Sequence, residues 1–158
     1  MTSFEQWNRS FINGEWTEGK SGRTYDNINP FDGSLIASIR LATKEQLADA
    51  FLTAEQAQKE WAKTPAATKK AVLRKAADYL RAHRSEIVDL IARETGGSMI
   101  KANVELDLSI GLVEEAVQMV DELTKVKELP SEIEGKINRV YRLPLGVITS
   151  ISPFNFPQ

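Results

Sequence analysis

Cysteine is absent from all 158 residues. No disulfide can form, no thiolate is at hand as a nucleophile, and no Cys-containing metal site can be built. Histidine is almost absent, because His83 stands alone. One imidazole cannot make a multi-histidine zinc site, and no HExxH pattern surrounds it. A Ser-His-Asp triad would have to enlist His83, yet the GxSxG elbow is missing. His83 lies at helical spacing from Tyr79 and Ile87, where a packing or surface role is expected. No metal site is expected, and these residues alone hold no catalytic centre.

Long apolar runs are missing too. Nothing approaches the ~18 residues of a membrane span, and the polar residues 1–10 lack the ~7–15-residue apolar core of a secretory signal. Without thiols the redox compartment is not legible, so the cytoplasm is the default expectation. A basic excess is also lacking. The formal charge is −2, which argues against a nucleic-acid partner, and no membrane partner is expected. Lys69, Lys70, Arg74, Lys75, Arg81 and Arg84 cluster among acidic neighbours and read as a solvated helix face. Gly96-Gly97 lacks the GxGxxG spacing of a phosphate loop and follows a helix rather than a strand. It reads as a helix stop. There is no internal repeat and no low-complexity segment.

What remains has the length of about one domain, on a prior of roughly 100–200 residues. Phe11-Ile12 and Trp16-Thr17 flank Asn13-Gly14, a dipeptide suited to a tight hairpin. Residues 23–29 and 34–41 form a second strand pair around Pro30-Phe31-Asp32-Gly33. Thr43 and Gln46 have capping-box spacing, and Leu47, Ala50, Phe51, Ala54, Ala57 and Trp61 follow at helical spacing as one apolar stripe. Thr64-Pro65 separates this helix from the next, with Pro favoured at the first helical position. The second helical stretch carries Val72, Leu73, Ala76, Leu80, Ile87 and Ile91 inward and breaks near residues 83–85, where Ser85 could cap a new helix. The third, from about Ser98 to Lys127, presents Val113, Ala116, Val117, Val120 and Leu123 on one face. Gly111 interrupts it, suggesting a bend or a close helix contact. Leu129-Pro130 closes the helical part.

The tail changes character. Residues 137–142 alternate like an exposed or partner-paired strand. Residues 146–151, Gly-Val-Ile-Thr-Ser-Ile, read as a buried strand that leads into the loop Ser152-Pro153-Phe154-Asn155-Phe156-Pro157. A buried strand needs neighbours. Three amphipathic helical regions ahead of one interior-type strand suggest the entrance to a parallel α/β sheet whose other strands lie elsewhere, so the chain is expected to be truncated.

The run Leu143-Pro144-Leu145-Gly146-Val147-Ile148-Thr149-Ser150-Ile151-Ser152-Pro153-Phe154-Asn155-Phe156-Pro157 resembles the aldehyde dehydrogenase superfamily. Phe11-Ile12-Asn13-Gly14-Glu15-Trp16, Asn29-Pro30-x-x-Gly33, Trp61 before Thr64-Pro65, Arg74-Lys75-Ala76-Ala77-Asp78 and Glu94-Thr95-Gly96 agree in order and spacing. The resemblance implies an α/β fold: the hairpins and helices of a Rossmann-type cofactor-binding domain, cut after its first core strand. Residues 1–129 would be its front strands and helices, residues 130–145 part of an oligomerisation element, and residues 146–158 the first core strand and loop.

It also implies NAD(P)-dependent oxidation of an aldehyde to the carboxylic acid in a homo-oligomeric enzyme, with a cysteine nucleophile and a glutamate base. The small-molecule aldehyde is the implied substrate, and the wording of the tail is most similar to the branch acting on aromatic aldehydes such as benzaldehyde or vanillin. Asn155 matches the asparagine that stabilises the oxyanion. Read without the motif, Asn155 is a turn residue. Ile151, Ser152, Pro153 and Phe154 match the segment lining the nicotinamide and ribose of NAD or NADP, and nothing in these residues selects between the two cofactors. Lacking the cysteine and the rest of the dinucleotide fold, this chain alone is expected to be inactive, to hold no cofactor productively, and to be poorly soluble or swapped. The competing readings are a non-catalytic helical interaction module and a silent structural subunit of a larger assembly.

Overall fold

A computed structural model describes residues 8–157. Residues 1–7, most of the stretch read for a leader, and Gln158 lie outside the described residues. Asn13 (φ 54°) and Gly14 (φ 79°) both adopt left-handed geometry and join β1 (Ser10–Ile12) to β2 (Glu15–Thr17). Two positive φ values match the twist of the flanking strands, and Phe11 meets Trp16 directly across the ladder with ring centroids 5.1 Å apart. β3 (Thr24–Ile28) pairs antiparallel with β4 (Leu35–Arg40). In their connection the Phe31 amide donates to Asn29 Oδ1 at 2.9 Å. Asn27 Nδ2 donates to Glu94 Oε1 at 2.5 Å and ties this hairpin to the helices. Both hairpins stand where the turn residues put them.

Helix α1 (Lys44–Lys63) begins with the expected reciprocal cap. The Gln46 amide donates to Thr43 Oγ1 at 3.1 Å, and the Thr43 amide donates to Gln46 Oε1 at 3.2 Å. Helices α2 (Ala66–Ala82), α3 (Arg84–Thr95) and α4 (Met99–Thr124) follow. Pro65 is the residue before α2 rather than its first member. The α2–α3 break falls at His83, and Ser85 is inside α3, so Ser85 is not the cap. The His83 ring lies against Tyr79 with centroids 4.2 Å apart, a packing role. Gly96, at φ 64°, ends α3 as expected. Ser98 caps α4, its hydroxyl accepting from the Lys101 amide at 3.2 Å.

The core is built by α2, α3 and α4. Ala77, Ile87, Val88 and Ile91 pack against Ala102, Leu106 and Ile110, and Val113 and Val117 extend the α4 stripe at spacings of 3 and 4. Leu106 and Ala102 are 0% exposed, and full burial of a side chain such as Leu106 contributes about 1.5–3 kcal/mol. The buried stripe starts at Ala102, about three turns earlier on α4 than the Val113–Leu123 face expected of it, and Leu123 is exposed. Gly111 lies within an unbroken α4 and meets no neighbour, since a Cβ there would face open space.

Two readings need a fuller account. The α1 stripe is present but uncovered: α1 has no buried residue, and Leu47, Phe51 and Trp61 are exposed. A periodic apolar face shows only that something could cover it. The basic cluster is more than a solvated face, because part of it bridges antiparallel helices. Lys70 Nζ meets Asp121 at 2.7 Å, Arg81 pairs with Glu114, and Arg84 pairs with Asp107. Each such pair contributes about 0–1 kcal/mol at the surface.

Beyond α4, β5 (Lys127–Leu129) pairs antiparallel with β6 (Asn138–Val140). β6 lies within the alternating stretch 137–142, but it finds its partner in this chain, and β5 replaces the helix end expected there. The strands form three separate two-stranded sheets among the described residues. Among them, no helix is long and apolar enough to cross a membrane.

Candidate active-site loop

The segment after β6 carries the candidate residues and runs back along the helical layer. Arg142 Nη1 donates to the Glu122 carbonyl at 3.2 Å, near the C-terminal end of α4. Leu143 and Pro144 line a groove of about 430 Å³ with Ala62, Val120 and Leu123. Val147 borders a shallow, mainly apolar depression of about 630 Å³ with Ala54, Ala57 and Trp61 of α1. Phe156 finally reaches the first turn of α4, where Lys101 Nζ stands 4.7 Å from its ring centroid.

Residues 146–151 are not the buried strand that their β-branched character suggests. They carry no strand pairing, and Ile148 and Ile151 are 70% and 89% exposed. The reason lies in the ladder. A strand takes its hydrogen bonds from neighbours, and none of the sheets among the described residues includes this segment. Extended backbone without partners remains coil.

Asn155 sits at the surface in a turn closed by the Phe156 amide donating to the Pro153 carbonyl at 3.3 Å. Its side-chain amide makes no hydrogen bond to a described residue, which leaves a neutral donor turned to no other task. Ile151, Ser152, Pro153 and Phe154 are contiguous with it and exposed. Their fit to a dinucleotide is partial. Unladdered main chain and two large apolar side chains can form one wall for a ribose and a flat ring, but Gly96-Gly97, the glycine pair ahead of the α4 turn that Phe156 reaches, lacks the spacing of a phosphate loop and follows a helix rather than a strand. The five predicted residues thus lie together on one exposed loop.

Two neighbours of this loop were not legible in the sequence. Glu105, on α4, has only 2% of its side chain exposed and is paired with Lys101. Lys101 is the same residue that lies over Phe156. At i and i+4 the two read as an ordinary exposed helical pair, and only the packing of α4 reveals the burial. Among the described residues, no cluster of His, Asp and Glu could hold a metal ion.

The model of the Aldehyde dehydrogenase family matches residues 16–158. The chain is 58% identical over 156 residues to "Putative aldehyde dehydrogenase AldY" of Bacillus subtilis (strain 168), covering 99% of this chain and 32% of that protein. It is 41% identical over 149 residues to the vanillin dehydrogenase of Corynebacterium glutamicum, covering 94% of this chain and 31% of that one. It superposes with a TM-score of 0.79 on the crystal structure of a NAD-dependent benzaldehyde dehydrogenase from Corynebacterium glutamicum, at 37% identity over 89% of this chain and 30% of that one. The chain spans about a third of the length of the curated relatives it matches.

Proposed function

The chain belongs to the aldehyde dehydrogenase family, and on that premise we propose that it is the front part of a cytoplasmic, homo-oligomeric enzyme that oxidises an aldehyde to its carboxylic acid. The observation that carries this reading is the loop Pro153-Phe154-Asn155-Phe156-Pro157, with an exposed Asn155 amide that has no described partner. When a carbonyl carbon is attacked, charge collects on its oxygen. A neutral NH₂ held at that oxygen stabilises the charge without reorganising, an effect of about 2.7–4 kcal/mol for comparable donors. Asn155 has this role. Ile151, Ser152, Pro153 and Phe154 form a wall of the cofactor site, with main-chain groups for a ribose and apolar surface for a ring. When bound there, NAD or NADP supplies the hydride acceptor.

The attacking group must come from other residues, because these 158 contain no cysteine. The chain alone therefore produces no NADH from aldehyde and NAD, and a mass-verified preparation that did so would overturn the proposal. The substrate class we assign is aromatic, benzaldehyde or vanillin, in keeping with two relatives in the comparison that carry those activities in their names.

The decisive experiment replaces Asn155 in the whole enzyme. Asn155→Ala removes the donor and should lower kcat about 10²–10³-fold, with little change in the KM for aldehyde. Unchanged turnover would end this reading of the loop.

A further inference from the structure

We propose that Lys101 is a positioning residue for the Asn155 loop, held in place by the buried carboxylate of Glu105; this rests on the reading of Asn155 as the oxyanion donor. Three observations meet here. Glu105 has 2% of its side chain exposed although it is acidic, and it lies on the α4 face that also carries the fully buried Ala102 and Leu106. Its partner Lys101 keeps 28% exposure, so the ammonium is anchored inward but still reaches the surface. From there Nζ stands 4.7 Å from the centroid of Phe156, the residue next to Asn155.

The chemistry of each link is ordinary. A buried carboxylate needs its cation, which fixes the direction of the Lys101 side chain. A cation within about 6 Å of an aromatic face is attracted to the ring. Among the described residues the rest of the loop has little else to hold it. Phe154 and Ile151 are 93% and 89% exposed, and the loop's internal restraint is the 3.3 Å bond from the Phe156 amide to the Pro153 carbonyl. The core thus reaches Asn155 through a short chain: α4 to Glu105, Glu105 to Lys101, Lys101 to the Phe156 ring, and Phe156 to its neighbour. An oxyanion donor displaced by a fraction of a hydrogen-bond length loses its effect in the transition state while leaving substrate binding largely intact.

The test uses the whole enzyme with NAD and benzaldehyde. Lys101→Met removes the cation but keeps the stem; kcat should fall by about 10–100-fold, while the KM for aldehyde and the affinity for NAD stay within about twofold. Lys101→Arg keeps a cation for both Glu105 and the ring and should recover most of kcat. Phe156→Leu removes the ring without touching the ion pair. It should lower kcat in the same way, which keeps the proposal testable if Lys101→Met fails to fold. Full turnover in Lys101→Met or in Phe156→Leu would overturn the inference. So would equal losses in Lys101→Met and Lys101→Arg accompanied by lowered melting temperatures, since that is the pattern of a structural ion pair. Asn155→Ala, measured alongside, separates the two levels. If it loses kcat while Lys101→Met does not, only the positioning role fails; if Asn155→Ala retains kcat, the oxyanion reading fails and takes this inference with it.

Discussion

The helical layer and the tail are both rich in large apolar side chains, yet they treat them in opposite ways. In α3 and α4, Ile91 and Leu106 are 1% and 0% exposed. In the tail, Leu143, Leu145, Ile148, Ile151 and Phe154 range from 70% to 93% exposed. Hydrophobicity cannot explain the contrast, because both regions have it. Backbone hydrogen bonding can. A helix satisfies its own amides and carbonyls within four residues, so α2, α3 and α4 need only one another's faces, and short connections supply them. An interior strand takes its hydrogen bonds from two neighbours and its burial from layers above and below. Among the described residues no sheet supplies them to the tail. α2, α3 and α4 cover one another's faces, and the tail finds no such cover among the described residues.

The strongest way to break the comparison is to damage the layer that stands by itself. Leu106→Ala removes a side chain with no exposure from the centre of the α2–α3–α4 core and should cost about 2–5 kcal/mol, depending on how far the cavity collapses. Urea unfolding followed by far-ultraviolet circular dichroism would register this as a lowered midpoint at similar slope. A loss below about 1 kcal/mol would show that the layer is not the core of the chain.

A smaller effect is expected at the α3–α4 junction. Gly96 holds φ 64°, and a Cβ added there would lie 2.9 Å from Pro30 Cγ of the β3–β4 connection. Gly96→Ala should therefore cost about 1–2 kcal/mol from the left-handed backbone alone, with the proline contact adding to it. Gly111→Ala is the internal control. Its Cβ meets nothing within 4 Å in a regular helix, so it should stabilise by about 0.5–1 kcal/mol. Opposite signs in thermal melts would confirm that the first glycine is a hinge between elements and the second a residue that α4 tolerates. Equal signs would remove that distinction.

The same division governs what could be read before any coordinates. Features decided within a few residues were legible: the Asn13-Gly14 turn, the Thr43–Gln46 cap, the Gly96 stop and the break at His83. Features decided by a distant neighbour were not. The α1 stripe of Leu47, Phe51 and Trp61 looks like a core face, but periodicity says nothing about what arrives to cover it. Lys127 and Glu128 look like the end of a charged helix, and only pairing with Arg139 and Val140 makes them part of a strand. Glu105 looks solvated because its charge is visible in sequence and its burial is not. For the candidate site, the motif identified Asn155 and its four neighbours, since the loop is contiguous. It gave no sign of Lys101, some fifty residues upstream, which meets the loop only in three dimensions, or of its partner Glu105.

The smallest predicted effect sharpens the comparison most. Ile148 is 70% exposed in a stretch that is as β-branched as a sheet interior. In this chain Ile148→Ser should change stability by no more than about 0.5 kcal/mol, as for other surface substitutions, in the same urea titration that registers Leu106→Ala. In the whole enzyme, if this segment becomes the interior strand its sequence suggests, the same substitution should cost about 2–5 kcal/mol, because a buried isoleucine is cut back and a hydroxyl is placed in an apolar layer. The difference between the two measurements is the burial that other sequence confers on the tail. Two equally small values would mean that residues 146–151 never become an interior strand, and that Asn155 must be held at its station by the Lys101 contact without a sheet behind it.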